Sequence, residues 1–170
     1  MNEEQELPGE GDFFSTEEVY QIAALVNEKL AGVEYHYWVN KASAEVFEVL
    51  DWISLRFESG NSLTLTGGLD SDGIKLVNPD FSEEQKRLEK EFDRKVTIES
   101  RNASKHKVWK ECIGQEMTPS LVKVDGKVLN DSLVLKFPEA DAVIIFLGLE
   151  GLEVDYYEDD ESEHTDITKH

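Results

Sequence analysis

The chain has 170 residues, with 37 acidic and 17 basic side chains and a net charge of −20 at neutral pH. A surface this acidic repels phosphate backbones and anionic lipid headgroups, so we expect neither a nucleic acid nor a membrane as partner. The single cysteine, Cys112, excludes an internal disulfide and is typical of a reducing compartment. We therefore expect a cytoplasmic protein in which Cys112 is buried.

The acidic residues are concentrated towards the two ends of the chain. Residues 1–12 hold five acids and no base, and residues 155–170 hold seven acids and one lysine. Segments that repel themselves and contain few core-forming side chains are typical of disorder. We therefore expect disordered acidic tails at residues 1–12 and 158–170, with a single domain at residues 13–157 between them.

One segment has the opposite charge. Residues 86–110 contain nine bases and four acids. Either these bases pair with nearby acids on a solvated face, or the segment is a docking site for an acidic partner.

The first predicted element is a helix from about Thr16 to Ala31. Ser15 and Glu18 have the spacing of a capping box, and Gly32 would supply a left-handed stop. Apolar residues between these ends recur at helical spacing, which indicates one buried face. From Tyr35 to Val39 the apolar and polar residues then alternate as in a strand.

Two later segments have the same layout. Residues 53–57 and 63–65 flank a turn and predict a hairpin with one apolar face, and residues 133–137 and 143–145 predict another. At an offset of eighty residues, four positions recur identically: Leu55, Phe57, Gly68 and Leu69 return as Leu135, Phe137, Gly148 and Leu149. Residues 142–147 are apolar on both faces, so the second strand of the later hairpin is expected to be central.

This recurrence predicts an α+β fold made of two pseudo-repeated halves, residues 14–77 and 102–157. Their antiparallel strands would form a sheet or a flattened barrel, with the helices packed on one side. In this scheme Gly32 and Gly114 each close a helix at an equivalent position. The alternative is that any two amphipathic hairpins align this well, because a period of two leaves few choices.

Three smaller elements complete the prediction. A linking helix at about residues 82–94 would be capped by Ser82, and Ser104 would cap a second short helix that runs to Cys112. Residues 124–128 predict a tight turn between two short strands.

No pattern predicts a catalytic site, a metal site or a cofactor. Asp70 to Gly73 resembles the opening of a calcium loop, but the twelfth position is Phe81 instead of glutamate, so a plain turn is favoured. Ser104 and Lys107 have the spacing of a serine nucleophile and its lysine, but Ser104 is better explained as a cap. The four histidines lack the spacing of zinc ligands.

Three aromatic residues are the binding candidates: Trp52, Trp38 and Tyr35. Trp52 lies on the strand face opposite Ile53, so a one-sided sheet would leave it on the outer side. There it is either exposed to a partner or covered by a helix.

The favoured function is a non-enzymatic protein-binding domain whose acidic surface engages a basic protein, as an immunity protein or inhibitor would. The alternative is a regulatory or small-ligand-binding module with a pocket between the two halves, lined by aromatics such as Tyr35 or Phe137. A hydrolase that uses carboxylates is the third hypothesis. We expect a monomer or homodimer.

Overall fold

A computed structural model of the chain describes residues 12–41, 46–67 and 73–158. Antiparallel strands dominate and two short helices accompany them, so the predicted α+β character is confirmed. The strands belong to separate sheets and do not close into the flattened barrel. Apart from Asp12 and Glu158, the two predicted acidic tails lie outside the described residues.

Five strands form the larger sheet, called sheet one here. They are β1 (Leu30–Asn40), β2 (Phe47–Phe57), β3 (Ser62–Thr66), β4 (Lys75–Val77) and β5 (Val96–Asn102). Their order is β4-β3-β2-β1-β5, and all neighbours are antiparallel. The strand predicted from Tyr35 to Val39 is confirmed as part of β1.

The remaining strands come from the second part of the chain. They are β6 (Thr118–Ser120), β7 (Lys123–Val124), β8 (Lys127–Val128), β9 (Ser132–Phe137), β10 (Ala140–Gly148) and β11 (Gly151–Tyr157). Sheet two has the order β11-β10-β9-β6, so the prediction of a central β10 is confirmed. β7 and β8 form a separate ribbon around Asp125 and Gly126, whose φ angles of 52° and 79° make the predicted tight turn.

Both predicted hairpins are present and share one register. The facing pairs are Leu55 with Leu63 and Ile53 with Leu65 in sheet one, and Leu135 with Val143 and Leu133 with Ile145 in sheet two. Duplication of the complete halves is not confirmed. The predicted helix before the second hairpin was wrong, because residues 104–115 form successive turns and bends, with Trp109 and Cys112 buried among them.

Helix α1 (Thr16–Ala23) begins with the predicted capping box. The Ser15 hydroxyl accepts a hydrogen bond from the Glu18 amide, and the Glu18 carboxylate accepts one from the Ser15 amide. The predicted end near Ala31 was wrong. Asn27 has a left-handed φ of 67° and donates its amide to the Met117 carbonyl, so the chain leaves the helix early and enters β1.

Gly32 therefore lies inside β1 and does not stop a helix. Leu30 belongs to the same strand and donates its amide to the Gln115 carbonyl. These backbone partners come from a distant part of the chain, which is why the local pattern misplaced the helix end.

Helix α2 (Phe81–Glu91) is the predicted linking helix, with a different cap. The carboxylate of Asp80 accepts hydrogen bonds from the amides of Ser82 and Glu83, so Asp80 is the cap where Ser82 was expected. The Gln85 side chain accepts a 2.7 Å hydrogen bond from the Ile98 amide on edge strand β5. α2 is thereby fixed across the edge of sheet one.

One hydrophobic core joins the two sheets. Its fully buried members come from sheet one, sheet two, α1 and the turns before β6, and include Ile53, Leu65, Leu135, Ile145, Ile22 and Trp109. The packing of both helices on one side is not confirmed, since Ile22 of α1 enters this core whereas α2 lies on the outer face of sheet one. Among the described residues, no helix combines the length and the apolar composition needed to cross a membrane.

Candidate functional site

A groove of about 770 Å³ opens between the outer face of sheet one, α2 and the turn that joins β10 to β11. We call it the α2 groove. Its apolar walls come from all three elements and include Trp38, Phe47, Trp52, Leu88, Phe92 and Leu147. Cavities of about 300–1,000 Å³ with apolar linings are the usual size of ligand sites, so this groove is large enough to be functional.

A β-bulge in β2 shapes the floor of the groove. His36 on β1 faces Trp52 and Tyr37 faces Leu50, which leaves Asp51 as the extra residue between them. In a regular strand Asp51 would point away from Trp52. The bulge instead lets both Asp51 and Trp52 line the groove. An irregularity of the strand therefore brings a carboxylate to an aromatic surface.

The charged groups of the groove are mainly acidic. Four carboxylates and one guanidinium line it: Asp51, Glu84, Glu91 and Glu150, against Arg87. Arg87 already pairs along α2 with Glu84 at 3.0 Å and Glu91 at 2.7 Å. The groove therefore retains an excess of negative charge, which attracts cations.

Asp51 is the carboxyl group most affected by this environment. Burial raises its pKa, the nearby charge of Glu84 raises it further, and Arg87 acts in the opposite direction. Within the described part of the chain, no hydrogen bond or ion pair reaches the Asp51 carboxylate. A cation placed beside it would favour its ionised form.

The structure brings two of the three predicted binding residues together. Trp52 is on the outer face as expected, but Phe81 of α2 contacts it edge-on at 5.6 Å and only 8% of it remains exposed. The alternative that the linking helix covers Trp52 is therefore confirmed. Trp38 packs edge-on against Phe92 at 5.3 Å, so both tryptophans belong to the α2 groove.

Tyr35 lies elsewhere. It is buried, and its hydroxyl accepts a 2.6 Å hydrogen bond from the indole Nε1 of Trp109. Burial raises the pKa of Tyr35 to about 12. Tyr35 lines a smaller pocket of about 490 Å³ beside Tyr37 and His106, so the three binding candidates do not form one site.

A chain of polar side chains within sheet one holds the ring of His36, on which the start of α2 stacks. The two ring nitrogens of His36 lie 2.7 Å from the Ser100 hydroxyl and 3.1 Å from the Ser54 hydroxyl, and Ser54 in turn bonds Thr64. The Phe81 ring stacks on the imidazole at 4.0 Å. Burial lowers the pKa of His36. His36 is thus a packed residue that positions one wall of the groove.

The other residues that the sequence singled out either have a structural role or lie outside the described residues. The Ser104 hydroxyl accepts a 2.9 Å hydrogen bond from the Val33 amide on β1 and so anchors the turns that follow. Asp70, Ser71 and Asp72 lie outside the described residues. In the part of the chain that is described, no group of three or more potential metal ligands occurs. Burial raises the pKa of the Cys112 thiol to about 11, and its predicted burial is confirmed.

Of the nine bases at residues 86–110, three form ion pairs with nearby acids in the described part of the chain: Lys86, Arg87 and Arg101. Arg101 bonds Glu48 at 2.6 Å and Glu99 at 2.9 Å, and Lys86 lies 3.6 Å from Glu83. Ion pairs thus neutralise the segment only in part, so these contacts do not decide between a solvated face and a docking site for an acidic partner.

Sequence reasoning identified Trp38 and Trp52 but missed the other residues of the groove, among them Asp51 and Phe47. The signal available for Asp51 was a carboxylate flanked by Leu50 and Trp52 within a strand. Comparisons of the chain with protein-family models, with curated proteins and with solved structures found no match. A functional assignment therefore depends on the chemistry of the groove itself.

Proposed function

We propose that the protein is a non-enzymatic protein-binding domain that engages a basic protein through its acidic surface, with the α2 groove as the central contact. The supporting observation is the pairing of aromatic walls with four carboxylates and one guanidinium in a single groove. A basic protein segment supplies both complements, apolar side chains for the walls and cations for the carboxylates. An inhibitor or immunity protein against a basic toxin or nuclease is one concrete form.

The charge of the whole molecule supports the same proposal. A net charge of −20 attracts basic proteins over long distances and repels nucleic acids and anionic membranes. Such steering raises association rates at low salt and fades as salt screens it. We propose that the domain acts in this way in the cytoplasm, as a monomer or homodimer.

The α2 groove is also relevant to the prediction that the chain consists of two related halves. We propose that the halves derive from one pattern, because their hairpins share a register eighty residues apart. β2 of the first half and the β10–β11 turn of the second half both line the groove. Its volume of about 770 Å³ therefore favours, as second candidate, a regulatory module that holds a small ligand between the halves.

Binding of defined peptides tests the protein-binding proposal. The probes are a capped seven-residue peptide of alternating arginine and leucine and its counterpart of alternating glutamate and leucine, measured by calorimetry at low and high sodium chloride. We expect the basic peptide alone to bind, and its affinity to fall steeply with salt. Equal binding of both peptides, or of neither, would contradict the proposal.

A substitution in the α2 groove tests whether the basic peptide binds there. Phe47, 45% exposed, lies at the start of β2 in the groove, whereas Tyr20, 72% exposed, lies on α1 outside it. We expect Phe47→Ala to weaken the binding of the basic peptide by about 1–2 kcal/mol, because apolar contact area in the groove is lost. Tyr20→Ala is the control and should leave the affinity unchanged.

A further inference from the structure

The Asp51 carboxylate loses hydration on folding and, among the described residues, gains no hydrogen bond or ion pair in return. A partly buried carboxylate beside Trp52 loses hydration, and such a loss is normally compensated by hydrogen bonds or by an opposite charge. In the described residues its interactions are the charges of Glu84 and Arg87 acting at a distance, and the first of these is repulsive. The bulge in β2 nevertheless directs it into the groove.

Resting on the function proposed above, we propose that Asp51 is the residue of the α2 groove that determines specificity: it binds the arginine or lysine cation of a basic protein segment. An apolar neighbour of that cation packs against Trp38 and Phe47. The cation supplies the opposite charge that Asp51 lacks, and the aromatic walls exclude water from the pair.

Arg87, the cation among the described residues that line the groove, forms no ion pair with Asp51. Arg87 is held along α2 by Glu84 at 3.0 Å and Glu91 at 2.7 Å, so its guanidinium is directed to the helix carboxylates. An incoming guanidinium or ammonium group would therefore meet Asp51 without having to displace Arg87. Glu150, on the opposite wall, adds a further negative charge.

Charge complementarity favours a protein segment as the occupant over a free amine. A small amine offers a cation, but it leaves the aromatic walls uncovered. A segment of alternating basic and apolar residues satisfies Asp51 and the walls together, and the gain from apolar burial adds to that of the ion pair.

The test compares two substitutions that each remove one negative charge. Asp51→Asn removes the proposed anchor, and Asp125→Asn removes an exposed acid in the β7–β8 turn, where asparagine tolerates the positive φ of 52°. The probes are the arginine–leucine peptide, its citrulline–leucine counterpart, which has no charge, and arginine amide. Circular dichroism melts confirm that both variants are folded.

We expect Asp51→Asn to weaken the binding of the arginine–leucine peptide about ten- to a hundred-fold, because one charge-assisted hydrogen bond is lost. Asp125→Asn should weaken it less than about two-fold, since only the long-range attraction is reduced. The citrulline peptide should bind both variants equally weakly. Arginine amide should bind the wild type far more weakly than the peptide does.

Proton uptake and release provide a second readout. Because burial raises the pKa of Asp51, a bound cation should lower that pKa and release a proton, and the affinity should fall as the pH is lowered and the carboxyl becomes protonated. The charged groups that line the groove with Asp51 are Glu84, Arg87 and Glu91 of α2 and Glu150 of the β10–β11 turn, and of these Glu84 and Arg87 act on its pKa. Calorimetry in buffers of different ionisation enthalpy measures the released proton, which Asp51→Asn should abolish.

The outcomes separate this inference from the function on which it rests. If neither basic peptide nor arginine amide binds the wild type, both proposals fail. If the peptide binds but Asp51→Asn and Asp125→Asn weaken it equally, the protein-binding function stands and the role of Asp51 is overturned. If arginine amide binds as tightly as the peptide, a protein segment is the wrong occupant.

Discussion

Trp109 and Tyr35 show how a single hydrogen bond organises the interior. Trp109 is fully buried in the turns before β6, and its indole donates to the Tyr35 hydroxyl on β1. The bond joins residues 74 positions apart in the sequence. Because both polar atoms are away from water, each satisfies the other, and the loss of either leaves an unpaired group.

Tyr35→Phe should destabilise the protein by about 1–3 kcal/mol, because the indole donor of Trp109 loses its buried acceptor. The measurement is the free energy of unfolding in urea. Tyr20→Phe on the exposed face of α1 is the matched control, with an expected change within about 0.5 kcal/mol. Equal effects of the two substitutions would show that the bond contributes nothing.

The same pair predicts a pH dependence. Burial raises the pKa of Tyr35 from 10.0 to about 12, so the folded protein favours the neutral phenol. This contribution to stability is complete below pH 10 and is lost as the pH rises through about 12. Tyr35→Phe should lack that part of the alkaline decline, which unfolding curves across this range would reveal.

At the scale of elements, the β10–β11 turn forms a wall of the groove through a close backbone approach. Gly151 has a φ of 130°, and a Cβ built there would lie 2.6 Å from Val49 Cγ1 and 2.7 Å from the Leu50 carbonyl oxygen. Neither the conformation nor the space suits any other residue. Sheet two therefore reaches β2 beside the bulge only because residue 151 is glycine.

Gly151→Ala should cost about 3 kcal/mol or more, since backbone strain and the clash with β2 add together. Gly126→Ala is the matched control: its φ is also positive, at 79°, but nothing lies within 4 Å of the added methyl group. We expect about 1–2 kcal/mol there, from strain alone. Similar losses in thermal denaturation would contradict a close approach between the turn and β2.

The helices and strands also show which features of the fold can be predicted from the sequence. The β2–β3 hairpin was predicted correctly because alternation places one face in the core, and the β9–β10 hairpin because two short apolar runs flank a turn. The end of α1 was not, because the amide of Asn27 binds the distant Met117 carbonyl, although an asparagine able to adopt a left-handed φ was visible in the sequence. The bulge at Asp51 depends on the register between β1 and β2, which local patterning does not encode.

The candidate site was predictable only in part for the same reason. Trp38 and Trp52 were both named as binding candidates, Trp52 because it faces outward, and both line the groove. Tyr35 was grouped with them, but it alternates to the other face of β1 and enters the core. The wall from Leu147 to Gly151 comes from sheet two, so it joins the site only after the two sheets share a core.

At the scale of the whole molecule, the net charge of −20 has two opposing consequences. Repulsion among the carboxylates destabilises the compact state, whereas ion pairs such as Arg101 with Glu48 stabilise it. Exposed pairs contribute only about 0–1 kcal/mol each, so we expect the repulsion to dominate. Salt screens both effects, and its influence on stability reports which one is larger.

We therefore predict that sodium chloride raises the midpoint of thermal unfolding while it weakens the binding of the arginine–leucine peptide. The matched control is a variant in which four exposed acids outside the groove are neutralised, Glu58→Gln, Asp125→Asn, Asp131→Asn and Glu139→Gln. Its melting midpoint should depend less on salt, and its peptide affinity should fall less than that of Asp51→Asn, because Asp51 and its neighbours are intact and only the long-range attraction is reduced. A wild-type midpoint that falls with salt would mean that the ion pairs outweigh the repulsion and that the excess negative charge carries no cost in stability.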